Sequence, residues 1–413
     1  MGLKPGYKQT EVGVIPEDWE VKALHILADK IMVGIASAAT HAYRDRGVVM
    51  FRNQNIKPGH LDDSDVLYIA EEYEQAFKNK RLKEGDLLTA RTGYPGTTSI
   101  VPPQYEGAQS FTTLITRPRC DLVYPTYLCI FINSAAGQSY FQQAQIGGGQ
   151  KNVNAGSLKY LPVVLPPTQA EQGAIAEALN DTDALIESLE QLLTKKRHLK
   201  QGTMQELLTG KKRLPGFCGE WEVKRLGDLA KIQRGASPRP IDSPIWFDEN
   251  STVGWVRISD VTGSGMFLRE TTQRLSSLGI QSSRPVSRGS LIMSICATVG
   301  RPVITEIDVC IHDGFVVFDN LQVGRDFLYY TLKSIEGDWS RHGQTGSQMN
   351  LNTGLINGTE VPVPPTAGEQ AAIAAVLTDM DAEIATLETK LTKAHQLKQG
   401  MMQELLTGRI RLI

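Results

Sequence analysis

The stretch Met204-Gln205-Glu206-Leu207-Leu208-Thr209-Gly210 returns letter for letter as Met402-Gln403-Glu404-Leu405-Leu406-Thr407-Gly408. The repeat extends well beyond this core, because 166–214 aligns without a gap to 364–412. Roughly three positions in five are identical, at a constant offset of about 198 residues. The chain is therefore a tandem duplication in which a longer, more varied segment precedes each copy. A duplicated chain of this kind can fold with approximate two-fold symmetry.

Each copy carries the signature of one long helix. Thr168 and Glu171 form a capping box after a Pro pair, and Thr366 and Glu369 repeat it. We expect each hydroxyl to cap the Glu backbone N–H and each carboxylate to return to the Thr N–H. The Leu-Leu-Thr-Gly sequence that closes each copy predicts a glycine C-cap. A helix of about 40 residues between these signals would be about 60 Å long.

Leucine and isoleucine recur on both predicted helices, mostly at three- and four-residue steps or their sums. One helix cannot bury such a stripe alone, but two copies can bury theirs against each other as a coiled coil. Approximate two-fold symmetry requires the antiparallel orientation. The residues predicted to pair the helices are Ile175, Leu179, Ile186, Leu189 and Leu193 with Ile373, Leu377, Ile384, Leu387 and Leu391, and the stripe continues through Leu199, Leu207, Leu397 and Leu405.

The segments before the helices combine short β-rich runs, such as 291–296 and 314–318, with helical pieces, such as 126–134 and 326–334. We predict an α+β fold with two mixed α/β modules built on bent β-sheets. Two long antiparallel helices would join and separate the modules with pseudo-two-fold symmetry. The predicted boundaries are 1–165 for the first module, 166–212 for the central helix, 213–363 for the second module and 364–413 for the C-terminal helix.

Composition indicates an ordinary globular protein of 413 residues, 41% hydrophobic and 21% charged. The N-terminus has no apolar run, and no stretch approaches the roughly 20 residues that span a bilayer, which predicts a cytoplasmic protein without a membrane segment. The five cysteines form no C-x-x-C pair and are expected to be reduced thiols. The net charge of −2 requires any nucleic-acid contact to come from local patches or from a basic partner.

Motifs of catalysis are missing from the sequence. It contains no G-x-x-x-x-G-K-[ST], no G-x-S-x-G and no H-E-x-x-H, and its histidines lack metal-ligand spacing. Glu20-Val21-Lys22 and its counterpart at 222–224 resemble the E-x-K half of a nuclease site, which also needs an acid on a neighbouring strand. We favour ordinary strands there and predict no catalytic or metal site. A Mg²⁺-dependent nuclease using Asp18, Glu20 and Lys22 stays open as an alternative.

Polar loops are the stronger candidates for function. Amide side chains can pair with adenine and arginine with guanine, although such residues also occur in ordinary turns and surface ion pairs. The candidate DNA-binding residues are Arg52, Asn53, Gln54, Arg91, Thr92, Tyr94, Gln150, Lys151, Asn152 and Asn154 in the first module, and Arg234, Arg239, Arg257, Ser259, Gln348, Asn350 and Asn352 in the second.

The whole chain resembles a specificity (S) subunit of a Type I restriction–modification system. The resemblance rests on the order module–helix–module–helix, on the Pro-Pro-x-x-x-Glu-Gln helix starts at Pro166 and Pro364, and on the Leu-Leu-Thr-Gly helix ends. The opening segment 7–19 and the run 85–88 also match.

The resemblance implies that each module is a target recognition domain reading one half of a bipartite site in double-stranded DNA. It also implies that the paired helices set the spacer and dock two modification (methyltransferase) subunits. S-adenosylmethionine would belong to those partners, and ATP and Mg²⁺ to motor-nuclease subunits where present, so this chain would hold no cofactor and no active site. Two alternatives stay open: a Mg²⁺-dependent DNA endonuclease in one chain, and a coiled-coil scaffold with duplicated ligand- or protein-binding modules.

Overall fold

A computed structural model of the chain describes residues 5–144, 152–342 and 351–412. The chain divides into two compact units, one formed by Met1–Glu190 with Lys390–Ile413 and the other by Gln191–Thr389. Each unit contains one module together with part of both long helices. Within the described residues, none of the helices combines the length and the apolar character that crossing a bilayer would require.

Secondary structure alternates between short strands and helices in both modules, and one long helix follows each module. The strands are β1 (Tyr7–Thr10), β2 (Gly13–Pro16), β3 (Glu20–Ala23), β4 (Ala28–Val33), β5 (Tyr43–Arg44), β6 (Val48–Phe51), β7 (Leu67–Ile69), β8 (Leu87–Thr89), β9 (Thr98–Ile100), β10 (Gln109–Ser110), β11 (Leu114–Pro118), β12 (Pro162–Leu165), β13 (Glu222–Arg225), β14 (Lys231–Arg234), β15 (Gly254–Val256), β16 (Phe267–Leu268), β17 (Gln273–Arg274), β18 (Arg284–Val286), β19 (Leu291–Ser294), β20 (Pro302–Thr305), β21 (Val309–Ile311), β22 (Phe315–Asp319) and β23 (Glu360–Val363). The helices are α1 (Glu71–Gln75), α2 (Pro125–Asn133), α3 (Ala135–Ala144), α4 (Ala155–Lys159), α5 (Gln169–Leu207), α6 (Leu226–Leu229), α7 (Ile258–Gly263), α8 (Ser277–Gln281), α9 (Arg325–Ser334), α10 (Glu336–His342), α11 (Thr353–Gly358) and α12 (Ala367–Leu405).

The first module contains two four-stranded sheets, with strand orders β10-β6-β7-β5 and β4-β11-β8-β9. Strand β10 runs parallel to β6, and the other neighbours in these sheets are antiparallel. The chain passes from one sheet to the other through 111–113, where Thr112 has a φ of 54°. We call 111–113 the first corner. This turn between sheets is the bend expected from the sequence.

The second module repeats this plan. Its sheets have the strand orders β17-β15-β21-β18 and β14-β22-β19-β20-β16, and β21 runs parallel to β15. The chain crosses between the sheets at 312–314, which we call the second corner. The expected strands appear as β19 and β22, and the expected helices as α2 and α9. The prediction of two mixed modules is therefore confirmed.

The long helices α5 and α12 each span 39 residues and run antiparallel within each unit. In the first unit, Lys398 Nζ lies 2.5 Å from Asp183 Oδ1. In the second unit, Lys196 Nζ lies 2.6 Å from Glu383 Oε1, and Lys200 pairs with Asp381. Lys200–Asp381 and Lys398–Asp183 occupy equivalent positions of the repeat, so the same interhelical bond is made once in each unit.

The stripe residues differ in what they contact. Ile175 and Leu179 are fully buried in the core of the first module, which Leu405 and Leu406 of α12 complete. The second core is built in the same way from Ile373 and Leu377 with Leu207 and Leu208. The pairing residues nearer the helix centres are Ile186, Leu193 and Leu387, which are buried, and Leu189, Ile384 and Leu391, which are half-buried. The extension of the stripe was wrong at Leu199 and Leu397, which are 49% and 57% exposed. Each lies six residues after the preceding leucine, and with about 3.6 residues per turn such a step does not return to the buried face.

The predicted capping boxes are only half formed. Thr168 Oγ1 accepts from the Glu171 N–H and Thr366 Oγ1 from the Glu369 N–H, both at 3.2 Å. The two carboxylates do not return to the threonines; they bind Arg411 and Arg213 instead. The reason is burial: the Glu171 and Glu369 side chains are 4% and 1% exposed. A charge removed from water to this extent needs a charged partner more than a neutral N–H.

Candidate nucleic-acid interface

Asn53 joins three loops of the first module. Its Oδ1 accepts from the Arg91 backbone N–H at 2.7 Å, and its Nδ2 donates to Thr112 Oγ1 at 3.3 Å. The turn that carries it is closed by the Arg52 backbone N–H, which donates to Asn55 Oδ1 at 2.8 Å. The structure thus brings the 52–55 turn, the β8–β9 loop and the first corner together.

A fourth loop meets the same place. The Val153 N–H donates to the Arg91 carbonyl at 3.0 Å, which sets the exposed Asn152 and Asn154 beside the β8–β9 loop. Asn154 also caps α4, because its Oδ1 accepts from the Ser157 N–H at 2.9 Å. The candidates Gln150 and Lys151 lie outside the described residues.

The other first-module candidates differ in exposure. Tyr94 is 82% exposed at the tip of the β8–β9 loop, and Thr92 beside it is half-buried. Arg52 Nη2 and Gln54 Nε2 both donate to Asp65 Oδ2, at 2.9 and 2.7 Å. In this structure both side chains are held by that carboxylate at the edge of the cluster.

The second module builds the same frame from different side chains. The Arg257 N–H donates to Asp260 Oδ2 at 2.8 Å, as Arg52 does to Asn55, and Ser259 is exposed on this turn. The Leu351 N–H donates to the Ile295 carbonyl at 2.9 Å, as Val153 does to Arg91. Asn352 caps α11, since its Oδ1 accepts from the Leu355 N–H at 2.7 Å. Gln348 and Asn350 lie outside the described residues.

Arg234 and Arg239 meet at the second corner. Arg234 Nε donates to the Asp313 carbonyl at 2.7 Å, and Arg239 Nη2 lies 3.3 Å from Asp313 Oδ2. Ser237 Oγ donates to Asp313 Oδ1 at 2.7 Å, and this bond is the main reason that the pKa of Asp313 lies below its ordinary value. Sequence reasoning missed Asp313. The only available signal was an Asp-Gly turn directly after a buried strand.

His312 fixes the shape of this corner. Its Nδ1 accepts from the Gly314 N–H at 2.9 Å, so the proton of the neutral ring lies on Nε2. The imidazole packs between Trp255 and Phe315, with ring centroids 5.7 and 4.8 Å away. Burial is the main cause that lowers the pKa of His312; the Asp313 carboxylate acts against it, and the charge of Arg257 acts with it. The ring is therefore held neutral beside the Asp313 carboxylate.

The E-x-K segments form ordinary strands. Lys22 Nζ lies 2.6 Å from Glu20 Oε2, and Lys224 Nζ lies 2.8 Å from Glu222 Oε2. Strand β3 pairs with β12, whose sequence Pro-Val-Val-Leu carries no acid. Across residues 5–144, 152–342 and 351–412, no cluster of His, Cys, Asp and Glu side chains could hold a metal ion. In the first module, β12 therefore lacks the second acid that a nuclease would need. In the second module, β23 carries Glu360, but the strand register sets Glu360 opposite Arg225, whose Nε lies 3.8 Å from its Oε1, and sets Glu222 opposite Val363.

Known proteins share this organisation. The model of the type I restriction modification DNA specificity domain matches residues 16–195 and again 219–396. A relative named the MjaX specificity subunit of a type I restriction enzyme, from Methanocaldococcus jannaschii, is 26% identical over 429 residues, which are 98% of this chain and 97% of that protein.

Two solved structures share the fold. The crystal structure of the S subunit of a type I restriction-modification system from M. genitalium has a TM-score of 0.61 at 14% identity, covering 98% of both chains. A chain from a structure on complex assembly and conformational transition of the type I R-M system has a TM-score of 0.58 at 18% identity, covering 96% of this chain and 99% of that one. Because the specificity domain is matched twice over most of the sequence, this chain belongs to the type I restriction modification DNA specificity family.

Proposed function

We propose that this chain is the non-catalytic DNA-reading subunit of a type I restriction–modification complex and that each module binds one half of a bipartite site. The observation that carries the proposal is that both modules bring equivalent loops together through equivalent backbone hydrogen bonds but with different side chains. At the first corner an amide and a hydroxyl meet in Asn53 and Thr112, whereas at the second corner arginines bind Asp313. Base edges differ in their order of donors and acceptors, so two such surfaces suit different sequences.

The partners follow from the family and from the charge. The net charge of −2 is low for a protein that holds a DNA duplex alone. Two modification subunits would add positive charge around the double-stranded DNA and would carry S-adenosylmethionine and the methyl transfer. Motor-nuclease subunits using ATP and Mg²⁺ would join where cleavage occurs. In this scheme the present chain selects the sequence and holds no cofactor.

The long helices offer one exposed surface twice. Leu199 and Gly202 are exposed on α5, and the equivalent Leu397 and Gly400 are exposed on α12. A glycine inside a helix costs about 1 kcal/mol relative to alanine. A Cβ added at either glycine would meet nothing within 4 Å, so the fold itself does not require them. A partner backbone that approaches closely accounts for both glycines, and two equal surfaces suit two copies of one modification subunit.

A module exchange tests the proposal. Residues 1–165 are replaced by the corresponding module of a relative, and the methylated sequences are mapped in cells that also contain the modification subunits. We expect one half of the recognised site to change and the other half to stay as it was. An unchanged methylated sequence would contradict the proposal.

Two simpler measurements address the alternatives. A one-chain nuclease predicts Mg²⁺-dependent DNA cleavage by the isolated chain, which Glu20→Ala would abolish; we expect no cleavage from either protein. A coiled-coil scaffold for other ligands predicts no DNA footprint when the modification subunits are present. We expect a footprint with two protected segments.

A further inference from the structure

The two corners differ sharply in charge although they occupy the same place in the module. The first corner is Phe111-Thr112-Thr113 and carries no ionisable group. The second corner is His312-Asp313-Gly314. Arg234 and Arg239 bind Asp313, and Arg284 donates to the Arg234 carbonyl. A carboxylate bound by arginines is unexpected on a surface that meets phosphates, because it repels them.

The fold does not need the Arg239–Asp313 pair. Their side chains are 71% and 45% exposed, and an exposed ion pair of this kind contributes little to stability. Asp313 is nevertheless held in place, because Ser237 donates to its carboxylate and Arg234 binds its backbone carbonyl. The result is a fixed acceptor beside a solvent-exposed guanidinium. Such preorganisation suits recognition of a ligand that offers acceptors next to a donor.

A G·C base pair offers that pattern in the major groove. Guanine presents N7 and O6 as acceptors, and cytosine presents its N4 amino group as a donor beside them. A guanidinium beside a carboxylate matches this edge: its donors face the two guanine acceptors, and the carboxylate faces the cytosine amino group. Against A·T the match fails, because the carboxylate would face the thymine O4, which is also an acceptor.

We infer that Arg239 and Asp313 together read one G·C pair in the half-site of the second module. Arg239 donates to guanine O6 and N7, and Asp313 accepts from cytosine N4. Arg234 and Arg284 provide positive charge that offsets the carboxylate beside the phosphates. The inference rests on the proposed function and adds to it the base pair and the two side chains that select it.

The test uses the complex of this chain with its modification subunits. Methylated sequences are mapped for the original chain and for Arg239→Ala, Arg239→Lys and Asp313→Asn. We expect a bipartite site in which each variant relaxes one G·C position of one half, while the other half serves as an internal control. Discrimination at that position should fall roughly 5- to 150-fold in competition binding. Arg239→Lys should keep most of the affinity but lose discrimination, because an ammonium cannot form the bidentate fork.

Arg269→Ala provides the matched control. Arg269 Nε lies 2.9 Å from Glu306 Oε2, and the two side chains are 74% and 36% exposed, much like the Arg239–Asp313 pair. These residues follow β16 and β20, while Arg234 ends β14 at the opposite edge of the same sheet. We expect this variant to methylate the original sequence.

Three results would overturn the inference: an unchanged site in all three variants, a second half-site without a G·C pair, or an equal loss of affinity for every sequence. An equal loss of affinity for every sequence would mean that Arg239 and Asp313 contact phosphates or support the fold. Melting curves distinguish these two roles, because only a role in folding lowers the melting temperature. A failure of the proposed function looks different, since the original chain would then direct no bipartite methylation at all.

Discussion

Arg411 lies 240 positions after Glu171 in the chain, and its Nη2 donates to Glu171 Oε2 at 2.8 Å. The same guanidinium reaches Asp18 at 3.0 Å and lies 5.6 Å from the ring centroid of Trp19. One side chain therefore ties the end of α12 to the start of α5 and to the entry of the first module. The second unit repeats the contact with Arg213 and Glu369, whose Nη2 and Oε2 are 2.7 Å apart.

Arg411→Met should destabilise the first unit by about 3 kcal/mol, because it leaves the Glu171 carboxylate buried without a cation. The measurement is the free energy of unfolding in urea. Arg409→Met is the control, since the Arg409 side chain is half exposed and pairs with Glu404 of α12. Removing such a surface pair should cost less than about 1 kcal/mol.

The double variant Arg411→Met with Glu171→Leu should recover most of the lost stability. Replacement of both partners removes the uncompensated charge and leaves apolar side chains in an apolar site. Equal destabilisation of the single and the double variant would show that packing, and not the unpaired carboxylate, accounts for the loss.

Leu387→Asp should cost several kcal/mol, since Leu387 is 7% exposed and the substitution buries a carboxylate without a partner. Leu397→Asp, at a 57% exposed position of the same helix, should change stability by less than about 0.5 kcal/mol. Thermal unfolding of both variants measures the difference. Similar melting temperatures would contradict burial of the helix pairing face.

Acid should weaken the first module through Glu74. Arg81 donates two hydrogen bonds of 2.6 Å to this carboxylate, and Gln109 adds a third; the bonds from Arg81 are the main cause that holds the pKa of Glu74 below 4.5. The folded state binds the proton less readily than the unfolded chain. The stabilisation is therefore present above about pH 4.5 and is lost as the pH falls through the folded-state pKa.

Glu74→Gln should reduce the loss of stability at acid pH, because the variant has no carboxylate to protonate at that site. Urea unfolding midpoints measured at a series of pH values between about pH 6 and about pH 3 test it. Glu72→Gln, on the exposed side of the same short helix, should leave the pH dependence of the stability as steep as in the original chain.

Inserting four residues after Leu193 and four after Leu391 should lengthen the unread gap of the methylated site. The insertion adds about 6 Å to each helix, and these positions lie where the two compact units divide the helices. Methylation mapping measures the gap. An unchanged gap in the lengthened protein would contradict the role of the helices as a spacer. The control is an insertion into α5 alone, which is expected to disrupt the pairing of α5 with α12.

Local patterns in the sequence predicted the parts of the fold that depend on near neighbours. A capping threonine acts three residues away and a helical stripe repeats every three or four, so the starts, the ends and the antiparallel pairing of α5 and α12 could be predicted. Leu199 and Leu397 each lie six residues after the preceding leucine of the stripe. Because a helix has about 3.6 residues per turn, a step of six does not return to the buried face, so their exposure follows from the spacing itself.

The candidate interface was predictable by residue type and only partly by position. Arg52 and Arg257 lie on equivalent turns, as the sequence suggested. The hydrogen bond that joins Asn53 to Arg91 was not predicted, because the two residues belonged to separate candidate loops. Asp313 was not predictable, because an isolated acid in a turn has no local signature. Asp313 became a candidate only through its contact with Arg239, which lies on a loop 74 positions earlier.

The sequence by itself determined the duplication, the two long helices and their alternation with two divergent modules. The duplication follows from repetition, and the helices follow from interactions within one or two helical turns. Tertiary structure alone decided which buried carboxylate meets which arginine and which side chains share a corner. Those contacts join residues up to 240 positions apart. Their partners are set by strand order and by the folding of each unit around its own core, not by any short-range pattern.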